Sequence, residues 1–338
     1  MAREASVLLA CLVFAAAAGG DETRAHRSFT MVYETSLKDV PAGAKQARLW
    51  VPVPQDTGDQ EITNVQVALT AGGETLTRSL ADLPKLDAVG GTSVKCTVAA
   101  IEHGWGRSLC VETPGKPIAL RLSFDCRRYE ARGGEGATDE ELEMALGPDT
   151  LIPLGKKVSA VAGEIEEGED ELETGKRLYD HTLERMRYDK PADSGWGRGD
   201  SEWACDSRHG NCTDFHSYFI GLSRSKGIPA RFVMGFPVSG GPERVAEVGG
   251  YHCWAYFWTD DGGWIPVDIS EADKHPEKTE YFFGTLDYDR VTMTSGRDLT
   301  LDPAPAQGPL NFLVYPYAEV DGMAWPRVEK SFKRILAD

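Results

Sequence analysis

The chain is short of positive charge: 36 Lys and Arg stand against 53 Asp and Glu, a formal net charge of −17 at pH 7. Phosphate backbones and anionic lipid surfaces both select basic faces, so no nucleic-acid partner and no docking on an acidic membrane are expected. No Cys-x-x-Cys pair occurs, and the histidines and cysteines lack finger-like spacing. That argues against a structural zinc site and a dithiol redox motif. No phosphate-binding glycine motif stands between a strand and a helix, and no internal repeat is evident. Beyond the first twenty residues no segment is apolar and long enough to span a bilayer. Neither cofactor nor metal is expected.

What is present is a chain of 338 residues, 41% hydrophobic and 26% charged, ordinary for a globular protein and long enough for two domains with separate cores. Its start reads as an export signal. Arg3 precedes an uncharged apolar run from Ala5 to Ala18, the small residues Ala16 to Gly19 offer a cleavage site, and polar sequence begins at Asp21. A signal peptide over 1–20 implies a secreted or periplasmic protein with no membrane insertion after its removal. Six cysteines would remain: Cys96, Cys110, Cys126, Cys205, Cys212 and Cys253. Export permits disulfides. Cys96 and Cys110 are candidates to bridge neighbouring strands, and the other pairings stay open.

Residues 28–132 read as an N-terminal β domain, sandwich-like in the spacing of its short strands. Phe29, Met31 and Tyr33 alternate with polar neighbours, and further β-type runs cover 48–54, 62–69, 94–100 and 120–124. Pro52 and Pro54 point to an edge strand or a strand end. Gly133 to Gly136 is flexible, and Thr138-Asp139-Glu140-Glu141 has the spacing of a helix start. The core, 150–296, mixes helical and strand patterns. Leu172, Gly175, Leu178, Tyr179, Leu183 and Met186 share helical spacing, a Gly- and Asp-rich loop covers Asp193 to Asp200, and a second helix begins near Asn211 or Cys212. Phe215, Tyr218, Phe219 and Leu222 form its apolar stripe, and Gly227 and Pro229 stop it. Strand patterns follow at 230–236, 251–259 and 264–269. The loop from Pro237 to Gly250 has the composition of a mobile segment over a site. Residues 297–338 form a Pro-rich tail with short strand-like pieces.

Three residues carry the chemistry. Cys212 lies in Gly210-Asn211-Cys212-Thr213-Asp214-Phe215-His216, at the start of the second helix. Unpaired N–H groups and the positive end of the helix dipole favour a thiolate there and suit a developing oxyanion. Taken alone, Cys212 also fits a small buried cysteine that packs a helix. His252 lies 40 residues on, in a strand of aromatic and small residues, and is the candidate base. Asp268 follows 16 residues later, at the end of Trp264-Ile265-Pro266-Val267, placed to orient an imidazole. Asp273 is its rival. His216, four residues after Cys212 on nearly the same helix face, could tune the site but reads first as packing or surface. His209 reads as exposed, Cys253 as core on the face opposite His252, and Cys205 as open between disulfide and free thiol. Tyr188, Trp196 and Trp203 are candidates for a second oxyanion donor.

The order cysteine on a helix, histidine on one strand, acid on the next resembles the transglutaminase-like superfamily. Four linked motifs carry it: Gly210 to Phe215; Leu222 through Gly227-Ile228-Pro229-Ala230-Arg231 to Phe236; Gly250-Tyr251-His252-Cys253-Trp254; and Gly263 to Asp268. The resemblance implies an α+β fold with a papain-like core, as in bacterial secreted members that carry an N-terminal β domain. It implies Cys212 as nucleophile, His252 as base and Asp268 as orienting acid. The implied reaction is attack on a carboxamide or peptide carbonyl of a protein or peptide substrate through a thioester. Hydrolysis is favoured because nothing in the sequence marks an amine site. Amine transfer and a non-catalytic binding or scaffold role are the alternatives.

Overall fold

The structure is a computed structural model and describes residues 24–238 and 240–336. The export-signal reading falls on residues 1–20, outside the described residues. Fourteen strands and six helices carry the argument.

The N-terminal half supplies β1 (His26–Leu37), β2 (Ala47–Val53), β3 (Gln60–Ala71), β4 (Glu74–Ser79), β5 (Lys95–Ala100), β6 (Glu102–Trp105), β7 (Arg107–Thr113) and β8 (Ile118–Tyr129). Then come α1 (Asp139–Leu146), α2 (Lys157–Glu164), α3 (Glu171–Arg185), α4 (Ser201–Ser207) and α5 (Cys212–Ser225). After them run β9 (Ala230–Pro237), β10 (His252–Thr259), β11 (Gly263–Val267), α6 (Ile269–Lys274), β12 (Arg290–Thr300), β13 (Tyr317–Val320) and β14 (Glu329–Leu336).

Alternation along β8 shows why the first sheet forms. Ile118, Leu120, Leu122, Phe124 and Cys126 are buried while most of their neighbours are less so. These side chains meet Leu49, Val51 and Val53 of β2 and Leu109 and Val111 of β7 in one hydrophobic cluster. Two sheets therefore share a core in this strand-rich region. One has the order β14-β1-β8-β3-β4, with Val245–Glu247 beyond β14, and the other has β13-β2-β7-β5, with Met323–Ala324 beyond β13.

The residues read from sequence as a tail supply β13 and β14, which pair with β2 and β1. These are contacts nearly 300 residues apart that no local pattern announces. Pro52 and Pro54 fall at and just after the end of β2. β13 pairs with β2 only over Ala47 to Trp50, so the missing N–H of Pro52 leaves no gap in that ladder. The Pro237 to Gly250 loop is tied down in part, because Val245 to Glu247 pair with Ile335 to Lys333 of β14.

The third sheet has the order β11-β10-β9-β12-β6. One face, through Cys253, Ala255 and Phe257, joins the cluster that contains α3 and α5. The other, through Val233, Trp254, Tyr256 and Trp264, packs with Ala131, Ala145 and Leu286. α2, α3, α4 and α6 surround α5, whose residues from Cys212 to Arg224 are all buried. The expected apolar stripe on α5 is thus one side of a helix enclosed all round. Its polar side chains each find a partner. Arg224 donates to the Ala230 and Gly147 carbonyls and to Asp149, and Ser217 Oγ accepts from Arg297. In α3, by contrast, Leu172 faces solvent although it shares the expected stripe.

Candidate active site

α5 begins where its sequence says it should. Asn211 caps it, accepting from Thr213 N at 2.9 Å, and Asp214 reaches back to accept from Asn211 N at 3.0 Å. The same carboxylate accepts from Gly197 N at 2.7 Å and Gly199 N at 3.1 Å, which pins the Gly-rich loop to the helix start. Gly199 has φ of +67°, and a Cβ there would lie 2.7 Å from Thr213 Cγ2 and Ser217 Oγ, so only glycine fits. Cys212 is the first helical residue and is 3% exposed. Its N–H, at the first helical position, has no partner within the helix.

His252 opens β10 beside this helix start. Its Nε2 lies 2.7 Å from Asp268 Oδ2, which leaves Nδ1 as the nitrogen for Cys212. Burial alone would raise the Cys212 thiol. Hydrogen bonds from Cys253 and His252, with the imidazolium charge, override it and hold Cys212 well below the usual thiol range. Burial likewise opposes charge on His252, but Asp268 and Cys212 outweigh it and push its pKa up to about 10. Both shifts favour a thiolate–imidazolium pair.

Asp268 follows the last residue of β11 and caps α6, accepting from Glu271 N and from Ser270 Oγ, each at 3.1 Å on Oδ1. It is fully buried. Burial would raise its carboxyl, yet His252 and Arg290 hold it far below the usual carboxylate range. Arg290 Nη1 donates to Oδ2 at 2.9 Å, Nη2 donates to Asp287 Oδ2 at 2.8 Å, and the guanidinium lies 4.9 Å from the Trp254 ring centre. Asp273, the sequence rival, instead accepts from Tyr188 N at 2.8 Å.

His216 is neither surface nor mere filler. It is fully buried, its Nε2 accepts from Ile269 N at 3.1 Å, and its ring bonds the Cys212 backbone. Burial pushes its pKa down to about 4, so it is a neutral strut between the starts of α5 and α6. Tyr251 was also missed as a site residue. Its hydroxyl accepts from Asn211 Nδ2 at 2.9 Å and lies 2.8 Å from Thr213 Oγ1. Adjacency to His252 was the only signal for it, and Arg290 had none.

The short parallel bridge Tyr188–Gly210 brings Tyr188 to the approach to Cys212, with Lys274 Nζ 3.9 Å from its ring centre. Burial, together with the charge on Cys212, raises its phenol. The other two indole candidates are engaged elsewhere: Trp196 Nε1 donates to Pro191 O at 3.0 Å, and Trp203 packs edge-on against His209. His209 is half-buried rather than exposed. The Cys96–Cys110 bridge does not form. Cys96 pairs with Val111 and Cys110 with Thr97, so the two side chains leave opposite faces of the sheet. All six described cysteines are unpaired. Among the described residues no cluster of His, Cys, Asp and Glu is arranged to hold a metal ion, and no helix is long and apolar enough to cross a membrane.

The core of the transglutaminase-like superfamily matches residues 159–269, from within α2 to the first residue of α6. A protein of Haemophilus influenzae, described only as uncharacterized, is 33% identical over 87% of this chain and 85% of its own. Among solved structures, a candidate cysteine protease from Cytophaga hutchinsonii shares the fold at 15% identity, covering 93% of this chain and 92% of that one with a TM-score of 0.56. The periplasmic domain of TgpA from Pseudomonas aeruginosa aligns at 16% identity over 76% of this chain and 92% of that one, with a TM-score of 0.35. The chain belongs to the transglutaminase-like superfamily, whose fold is that of cysteine-dependent acyl-transfer enzymes.

Proposed function

We propose that this protein is an exported thiol hydrolase that cleaves a carboxamide or peptide bond in a protein or peptide substrate, with Cys212 as nucleophile. The observation that carries this reading is the continuous line of contacts from Cys212 through His252 and Asp268 to Arg290.

The Cys212 thiolate attacks the carbonyl carbon, and the helix-start N–H groups receive the oxyanion. His252, protonated and oriented by Asp268, gives its proton to the leaving ammonia or amine, and a thioester remains. His252 then takes a proton from water, hydroxide attacks the thioester, the acid is released and the thiolate–imidazolium pair is restored. Export rests on the leader-like residues 1–20.

The test compares free-acid release with incorporation of a fluorescent primary amine, across a panel of glutamine-containing peptides, for wild type and Cys212→Ala. Release that depends on Cys212 and exceeds incorporation supports hydrolysis. Incorporation that outruns release at modest amine concentration would move the assignment to amine transfer. A wild type that does neither, with a Cys212 no more reactive than an ordinary thiol, would favour the binding-domain role.

A further inference from the structure

Position 253 holds a second thiol that the reaction above does not need. Its Sγ lies 3.9 Å from Thr213 Oγ1 and 3.7 Å from His216 Nδ1, so it rests on the turn of α5 that begins with Cys212. Thr213 is the residue after Cys212 and His216 lies one helical turn on, so the two thiols flank the same helix start, and Cys253 is completely buried. The remaining four described cysteines sit elsewhere in the fold: Cys96, Cys110 and Cys126 on strands of the N-terminal sheets and Cys205 on α4. Reactive thiols that survive oxidation commonly have such a neighbour, because a second thiol intercepts the sulfenic acid before it oxidises irreversibly.

We propose that Cys212 and Cys253 form a reversible disulfide when a hydroperoxide oxidises the nucleophile, with Cys253 as the resolving thiol. The inference rests on Cys212 being the reactive thiol of the proposed function. In the first step the Cys212 thiolate attacks one oxygen of ROOH. An S–O bond forms, the O–O bond breaks, and RO⁻ leaves as ROH with the His252 proton. In the second step Cys253 sulfur attacks the Cys212 sulfenic sulfur. An S–S bond forms, the S–O bond breaks, and the departing hydroxyl leaves as water with the Cys253 proton. The two thiols lose two electrons, and the hydroperoxide is reduced to alcohol and water. Closing the S–S bond to ~2 Å requires both side chains to turn toward each other at the start of α5. Hydrolysis stops while the bond lasts, and a small thiol reopens the site by exchange.

The test treats the reduced full chain with hydrogen peroxide, then maps peptides without reduction and measures iodoacetamide labelling of Cys212. A peptide pair joined through Cys212 and Cys253 is expected, with labelling down at least ~10-fold and restored to within about 2-fold by dithiothreitol. In Cys253→Ser the same dose should carry Cys212 to sulfinic and sulfonic acids that dithiothreitol does not recover. The wild-type map stands even if that variant folds poorly. Rapid labelling of reduced Cys212 with no Cys212–Cys253 link after peroxide would overturn the disulfide and leave the hydrolase reading intact. A Cys212 inert to both reagents would overturn both.

Discussion

Replacing Arg290 with methionine removes a guanidinium that is 2% exposed and leaves the length of the side chain. Arg290 bridges two carboxylates, Asp268 at 2.9 Å and Asp287 at 2.8 Å, and Asp268 is fully buried. Removing one partner of a buried ion pair costs about 3–5 kcal/mol, because the other charge stays buried without compensation. For a chain of this size the loss corresponds to a midpoint about 4–7 °C lower. Urea unfolding followed by tryptophan fluorescence reads it directly, since the chain has 8 tryptophans. The double variant Arg290→Met with Asp268→Asn should cost at least ~1 kcal/mol less than the sum of the two single losses, because neither member of this pair is then left charged without the other. A single variant that costs under ~1 kcal/mol, or two losses that simply add, would refute the view that Arg290 exists to hold Asp268.

His216 predicts a pH dependence of its own. Its folded pKa is lowered to about 4 from an ordinary 6.5, so between those values the unfolded chain binds more protons and stability falls as pH drops. A few kcal/mol should be lost between pH ~6.5 and ~4 and regained above it, and His216→Gln should flatten that limb of the unfolding profile. Asp214→Ala strands the N–H groups of Asn211, Gly197 and Gly199. A loss of about 3 kcal/mol is expected, with faster amide exchange at Gly197 and Gly199. Retained protection at both glycines would show that the loop is held by other contacts.

The site was legible where it was local. Cys212 at a capped helix start, His252 in its strand and Asp268 at a strand end lie in short motifs whose chemistry depends on neighbours in sequence, and the structure brings the three together. The choice of Asp268 over Asp273 was not local. It turns on Asp268 capping α6 next to β11 while Asp273, one turn on, faces Tyr188. Arg290 and Tyr251 act through packing that no spacing encodes. Cys253 was correctly read as buried by strand alternation, but its place against the first turn of α5 needed the packing of α5 on β10. Of the strands, 118–129 follows alternation over most of its length and 47–53 is an apolar run buried almost throughout, whereas β14 is half-exposed and charged and is fixed by its partner β1. The Cys96–Cys110 expectation failed on a one-residue difference in register, which reverses the face of every side chain.

The central claim is the thiolate–imidazolium pair of Cys212 and His252. Its most direct test is the pH dependence of Cys212 alkylation by iodoacetamide, read by peptide mass spectrometry, in wild type and His252→Ala. The pair predicts rapid labelling well below pH 7 that persists toward pH ~10, and a variant whose labelling at pH 6 falls at least ~10-fold and rises only near the ordinary thiol pKa of about 8.5. Wild-type labelling that rises only near pH ~8.5 and is unchanged by the substitution would contradict it.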